Sequence, residues 1–277
     1  PADDQIETLF LETPRGFVYS SYVQPCRNLP NQPLTALPAG TNGFWAEVTV
    51  PYVDCVLDGP AASPFLKYLT EGNFPVRLYY SQIMWIDQIR VSDSGAPFYR
   101  AIERYGSYGD ALWAEGAAFR PITAEEIAPL SPEVDSAEKR VRVNLNYQTL
   151  SCLEQGREVY FCRVSTGVGD NSTPVGEFAT WRKTLSIHMA GGTVSAGYDT
   201  PGIGWTVLFH GEGVAIHSTF WHNMFGQKRS HGCVNCLPDD AKWIWRWTAP
   251  QVALEPGDLT WGDWQTGSSH ILVEEQY

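Results

Sequence analysis

His217-Ser218-Thr219-Phe220-Trp221-His222-Asn223-Met224-Phe225-Gly226-Gln227-Lys228-Arg229-Ser230-His231-Gly232-Cys233-Val234-Asn235 is the stretch that decides how the rest of the chain is read. A histidine is followed, after twelve residues, by Ser230-His231-Gly232-Cys233-Val234-Asn235. A thiolate is a nucleophile, and a nearby imidazole generates or stabilises it. A glycine beside the cysteine lets backbone N–H groups approach a developing oxyanion. Three readings of these residues compete: a Cys/His nucleophile site, a metal site, and buried cysteines and histidines that merely pack. Zinc sites pair tight ligand doublets. Here Cys233-x-x-Cys236 is a single doublet, and His217, His222 and His231 are spaced five and nine residues apart. A redox C-x-x-C motif would need a strand before it, whereas Gln227-Lys228-Arg229-Ser230 reads as loop. Metal and redox chemistry therefore fall behind the nucleophile, and the packing reading stays open.

Composition narrows the class. The chain has 277 residues, 43% hydrophobic and 18% charged, which is ordinary for a globular protein and as a soft prior suggests two domains. A net charge of −12 argues against nucleic acid and against electrostatic docking on anionic lipid. No apolar run approaches the roughly twenty residues of a membrane helix. The chain begins Pro1-Ala2-Asp3-Asp4 rather than with Met, as expected where a targeting segment lies outside the sequence. All six histidines follow residue 187, which confines near-neutral proton chemistry to the C-terminal half.

Residues 1–128 read as short β segments broken by Gly and Pro. Phe44 to Val50 and Val76 to Tyr80 carry strand composition, and Leu34 to Asn42 reads as loop. A weak internal echo relates Gly16-Phe17-Val18…Pro25 to Leu112-Trp113…Pro121. Residues 129–138, polar with two prolines, have linker composition. From Lys139 onward, polar and apolar residues alternate through Asn146 and continue to Leu153. Glu154 to Arg157 is a turn, and Glu158 to Val164 returns. Ala215-Ile216-His217 ends an apolar strand, Pro238 to Trp247 reads as a helix with acids at its positive end, and Ile271-Leu272-Val273 is a final strand. Of the six cysteines, Cys26 with Cys55 and Cys152 with Cys162 are the pairings weighed; Cys236 is expected to pack.

His217, the twelve-residue gap and Ser230 to Asn235 resemble the signature of the L,D-transpeptidase catalytic domain (YkuD type). The hairpin, Val164-Ser165-Thr166-Gly167 and Thr173-Pro174-Val175-Gly176 are similar to the way that domain opens. The resemblance implies a mainly β fold: a β-sandwich catalytic domain over residues 139–277 with one or two short helices, after a 129–138 linker. The N-terminal echo resembles bacterial SH3-like modules, small β-barrels over residues 1–128.

The resemblance also implies roles. Cys233 is the nucleophile and His217 the base, oriented by the Ser218 carbonyl. Gly232 and Cys233 N–H groups form the oxyanion hole, and His231 is a second proton-handling residue. Asn235, Ser230, Trp221, His222, Tyr198, His188 and Arg229 are expected at the substrate, with Lys228 and Arg182 as further partners for its carboxylates; Gly191-Gly192 follow His188 in a loop. No metal and no cofactor are expected. The partners are peptidoglycan stem peptides as donor and acceptor, with glycan strands at the N-terminal region. The location is extracytoplasmic, in the cell envelope. An L,D-carboxypeptidase, or a wall-binding protein with an idle catalytic half, are the alternatives.

Overall fold

The computed structural model describes residues 10–20, 23–105, 108–169, 172–191, 197–211, 213–260 and 267–276. The C-terminal half is a sandwich of two five-stranded sheets. One is built from β10 (Lys139–Asn144), β11 (Thr149–Glu154), β12 (Arg157–Arg163), β13 (Gly176–Ala179) and β19 (His270–Glu274), in the order β12-β11-β10-β19-β13. The other holds β14 (Arg182–Gly191), β15 (Tyr198–His210), β16 (Val214–Ser218), β17 (Val234–Cys236) and β18 (Asp258–Thr260), in the order β17-β16-β15-β14-β18. The expected hairpin is β10–β11–β12. Its alternation points Val141, Val143, Leu150 and Cys152 inward, where they meet Leu185, Val207, Ile216 and Val234 of the facing sheet in one apolar core.

Helix α2 (Pro238–Trp247) closes that core. Pro at its first turn, Asp239 and Asp240 start it, and Ala241, Ile244 and Trp245 form its buried face. Two buried lysines satisfy carbonyls at its C-terminal end. Lys139 Nζ donates to Trp247 O at 3.1 Å and Lys183 Nζ to Thr248 O at 2.5 Å.

The N-terminal region is also mainly β. A two-stranded ribbon, β1 (Phe10–Thr13) and β2 (Gly16–Tyr19), precedes a seven-stranded sheet. Its members are β3 (Phe44–Val48), β4 (Tyr52–Leu57), β5 (Arg77–Tyr79), β6 (Ile83–Val91), β7 (Pro97–Ile102), β8 (Ala111–Glu115) and β9 (Phe119–Pro121), in the order β5-β4-β8-β7-β6-β3-β9. The two echo segments thus fall in different sheets: Gly16 to Val18 in the ribbon, Leu112 to Pro121 in the larger one.

Against the reading of residues 1–128 as β segments alone, this region contains a helix, α1 (Pro64–Glu71). Ser63 caps it by accepting from Leu66 N, and Pro64 fits its first turn.

The two halves share packed surface. Trp45 of β3 and Trp85 of β6 belong to the same apolar core as Leu185 and Trp245. Gly257 makes this possible, since a Cβ there would lie 2.3 Å from Trp45 Nε1. Arg104 covers the Trp85 ring at 4.0 Å and is ion-paired with Glu255. Residues 129–138 pack as well: Leu130 N donates to Arg246 O at 3.2 Å, and Lys139 Nζ to Leu130 O at 2.8 Å.

All six cysteines are free thiols. Cys26 is exposed and Cys55 half-buried. Cys152 lies opposite Tyr160, and Cys162 opposite Leu150, so those two thiols are offset along the hairpin. Among the described residues no helix is long and apolar enough to cross a membrane.

Candidate active site

Strands β16 and β17 run parallel, with Ile216 opposite Val234, His217 opposite Asn235, and Ser218 opposite Cys236. Alternation sends Ile216, Val234 and Cys236 into the core. It puts His217 and Asn235 together on the other face. Cys233 directly precedes β17, level with Ala215, whose backbone hydrogen-bonds its sulfur. The thiol donates to Gly213 O at 3.8 Å. Cys236 therefore packs as expected, hydrogen-bonded to Cys162.

His217 is buried, and its Nδ1 lies 2.8 Å from Ser218 O. A carbonyl only accepts, so Nδ1 carries the proton and Nε2 keeps its lone pair. Burial pushes the His217 pKa down to about 4, against a smaller upward pull from the Ser218 carbonyl. Burial pushes the Cys233 thiol up to about 11, opposed by the Ala215 hydrogen bond. The resting pair is thus a neutral imidazole and a neutral thiol.

The loop before Cys233 is tied down residue by residue. Gly232 has φ +116°, a conformation open chiefly to glycine. Its carbonyl accepts from Thr173 Oγ1 at 2.8 Å, and Gly167 N donates to that same Oγ1 at 2.9 Å. Ser230 Oγ donates to Cys233 O and accepts from Gly232 N at 3.2 Å. That last bond engages one of the two N–H groups expected in the oxyanion hole. The Gly232 N–H is already used, which leaves the Cys233 N–H as the member of the expected pair without that commitment.

The remaining candidates separate into two groups. His222 is buried behind His217's face. Its Nδ1 accepts from Met224 N at 3.1 Å, and its Nε2 faces the Asn235 carboxamide at 2.9 Å. Burial first, then the charges of Arg229 and His217, push its pKa down to about 4. Trp221 is 46% exposed and its ring lies 5.9 Å from that of His217, nearly parallel. Tyr198 lies 5.1 Å, ring to ring, from exposed His231. Burial, then the Cys233 charge, raises its pKa. Lys228 and Arg229 are exposed on the loop.

His188 and Arg182 are not available to substrate as expected. His188 Nδ1 lies 2.6 Å from Glu103 Oε2, and Nε2 lies 2.6 Å from Asp199 Oδ1. Burial would lower its pKa, but the Glu103 hydrogen bond and both carboxylate charges raise it on balance. It joins the two halves rather than lining the thiol. Gly192, of the loop that follows, lies outside the described residues. Arg182 is held by both oxygens of Asp258, at 3.0 and 2.8 Å.

Gln24 was missed by sequence reading. Its Nε2 donates to Thr219 O at 2.6 Å and to His222 O at 3.3 Å. No local pattern marks a glutamine whose partners lie almost two hundred residues ahead.

A half-exposed thiol just before β17, the edge strand paired with the one that carries a buried neutral histidine, is an arrangement that suits a thiol nucleophile. Residues 138–259, less than half of the chain, match the family profile described as the L,D-transpeptidase catalytic domain, YkuD. Solved structures are similar over larger stretches. An L,D-transpeptidase from Mycobacterium smegmatis is 17% identical, with 80% of this chain and 99% of that chain covered and a TM-score of 0.41. L,D-transpeptidase 3 from Mycobacterium tuberculosis is 16% identical, with 88% and 98% covered and a TM-score of 0.40. An Enterococcus faecium L,D-transpeptidase mutant is 20% identical, with 50% of each chain covered and a TM-score of 0.40. This chain spans about half the length of the first structures it matches. No curated protein matches it.

Proposed function

We propose that the chain is an L,D-transpeptidase of the cell envelope, acting outside the cytoplasm on peptidoglycan stem peptides. The observation that carries the reading is the pairing of His217 with Ser218 O at 2.8 Å. It fixes the tautomer that leaves Nε2 a base on the face that Cys233 shares. The family match over residues 138–259 supports the same reading.

Cys233 Sγ attacks the carbonyl of the peptide bond that precedes the stem's terminal D-amino acid, and His217 Nε2 takes the thiol proton. The carbonyl oxygen becomes an oxyanion facing the Cys233 N–H. Collapse breaks the C–N bond; the leaving amine takes the proton back from His217, and a thioester remains on Cys233. A second stem's amine then attacks the thioester. His217 accepts its proton and returns it to the departing thiolate, and a cross-link has formed. His231, on the exposed rim, is the second group able to carry protons. Ser230 and Thr173 hold the Gly232–Cys233 turn. Asn235 and His222 back the pocket, and Trp221, Tyr198 and Arg229 receive the donor.

The division into an SH3-like region (1–128), a short connector (129–138) and a catalytic domain (139–277) belongs to the same proposal. It is supported by the mainly β character of the N-terminal region.

The test is incubation with a disaccharide-tetrapeptide ending in D-Ala, followed by mass spectrometry, with Cys233→Ala in parallel. A dimer lacking one D-Ala, absent with the variant, is the expected result. Loss of D-Ala without dimer would make the protein a carboxypeptidase. The same products from the variant would overturn the assignment of Cys233.

A further inference from the structure

A groove of about 670 Å³ opens between α1 of the N-terminal region and the end of the β14–β15 pair in the catalytic half, where Gly191 and Tyr198 lie. Phe65, Tyr68, Tyr79 and Tyr108 line it from the N-terminal side; Tyr198 and Trp221 line it from the catalytic side. Those last two are the rings that stand beside His231 and His217. The groove is therefore continuous with the proposed active site.

Its walls are held rigidly. Asp199 Oδ2 accepts from Phe65 N at 3.2 Å, which fixes the start of α1 to β15. Gln82 accepts from Tyr79 N and donates to Pro201 O, each at 2.6 Å, which ties the β5 end to the same strand. The Tyr79 ring stacks on Phe220 at 5.8 Å, next to Trp221. A contact surface held this firmly loses little conformational entropy when it binds.

The lining chooses its ligand by chemistry. Tyr68 is 55% exposed and Tyr79 43%. Exposed rings gathered along one groove, rather than scattered singly, mark a binding surface. Each tyrosine offers an apolar face and a phenolic O–H at its edge. A purely apolar ligand would leave the hydroxyls unmatched. A polyanion would meet a chain of net charge −12; among the described lining residues the cation is Arg77, already ion-paired to Asp54 at 2.7 Å. A sugar ring fits both features: its C–H face packs on an aromatic face, and its rim of hydroxyls meets the phenols.

We infer that this groove is a saccharide subsite, which takes the amino-sugar chain that carries the stem peptide while the peptide itself enters past Trp221. The inference rests on the function proposed above for the Cys233 site. It assigns substrate recognition to residues of the N-terminal region, Tyr68 and Tyr79 foremost.

The experiment has two arms. In the first, uncharged oligosaccharides of N-acetylglucosamine, which match the stem-bearing chain in lacking free carboxylates on the sugar, are titrated into the full chain carrying Cys233→Ala, by calorimetry. Saturable binding is expected, weakened at least tenfold by Tyr68→Ala or Tyr79→Ala and unchanged by Phe161→Ala, an exposed ring outside the groove. Tyr79→Phe, which keeps the ring, should retain most of it. In the second arm, the parent protein is given the tetrapeptide with and without its disaccharide. The disaccharide should raise kcat/KM, and that preference should collapse in Tyr79→Ala. Absence of oligosaccharide binding, or equal binding by the alanine variants, overturns the subsite. An equal loss with the bare peptide would make the groove a peptide channel and overturn it too. D-Ala release from the disaccharide-tetrapeptide by the parent protein reports the proposed function separately. Its absence alongside intact oligosaccharide binding would sink that function and leave the groove a sugar site.

Discussion

Gln24 Nε2 donates to Thr219 O at 2.6 Å, joining residues 195 positions apart. The same amide reaches His222 O at 3.3 Å, so one side chain closes the turn that carries Phe220 and Trp221. That turn sets Trp221 against the His217 ring. A side-chain hydrogen bond of this kind contributes about 1 kcal/mol net, and an uncompensated carbonyl costs more. Gln24→Ala should lower kcat/KM about fivefold to tenfold. Gln24→Glu should do worse, because a carboxylate would face two carbonyl oxygens. A Glu variant as active as the parent would show that the contact does not position the loop.

The pH profile should betray the buried base. The neutral imidazole of His217 is the reactive form, and it is lost as pH falls through about 4, not through the ordinary value near 6.5. Activity per folded molecule should hold from neutral pH down to about 5 and then drop. With the thiol pushed up to about 11, no decline is expected through mildly alkaline pH. Steady-state kcat/KM between pH 4 and 9 checks this, and an acid limb near 6.5 would contradict it.

Stability should depend on pH through His188 with the opposite sign. Its folded pKa is raised by Glu103 and Asp199 over the cost of burial. Its contribution is then fully present below the unfolded value, near 6.5, and is lost as pH rises through the folded value. The Tm difference between the parent and His188→Gln should be largest at pH 5.5 and shrink by pH 8.5. Because His217 and His222 are common to both proteins, the comparison cancels them. A difference that does not change with pH would remove His188 as a charged link between the halves.

Gly232→Ala should injure catalysis while sparing the thiol. At φ +116° a side chain costs about 1–3 kcal/mol of strain, and relief of that strain moves the Cys233 N–H. A loss of at least tenfold in kcat is expected, with Cys233 still titratable by an aromatic disulfide reagent. Full activity in this variant would show that the turn geometry is not needed.

Local signals made much of this molecule legible. Alternation at Val141 and Val143 marked β10, and Pro238 with two acids marked the start of α2. The apolar run into His217 marked β16, and the signature spacing singled out His217 and Cys233 as partners, although the pairing of β16 with β17 that brings their segments together was not read. The misses have two kinds of cause. Helix α1 carried its signals, a Ser63 cap and Pro64, but these were submerged in a region otherwise rich in strand residues. The commitments of Gly232 N–H to Ser230, of His188 to Glu103, and of Gln24 to Thr219 are tertiary. Spacing along the chain holds no record of which donor meets which acceptor once strands are packed. The groove is the same case, since α1 and Tyr198 become neighbours only through the fold.

The most direct measurement is intact-protein mass spectrometry after brief incubation with the tetrapeptide donor and no acceptor, followed by peptide mapping. The account predicts an adduct equal to the donor minus its terminal D-amino acid, carried as a thioester by Cys233, discharged by hydroxylamine and absent from Cys233→Ala. An adduct of that mass on another residue, or undiminished D-amino-acid release by the Cys233→Ala protein, would contradict it.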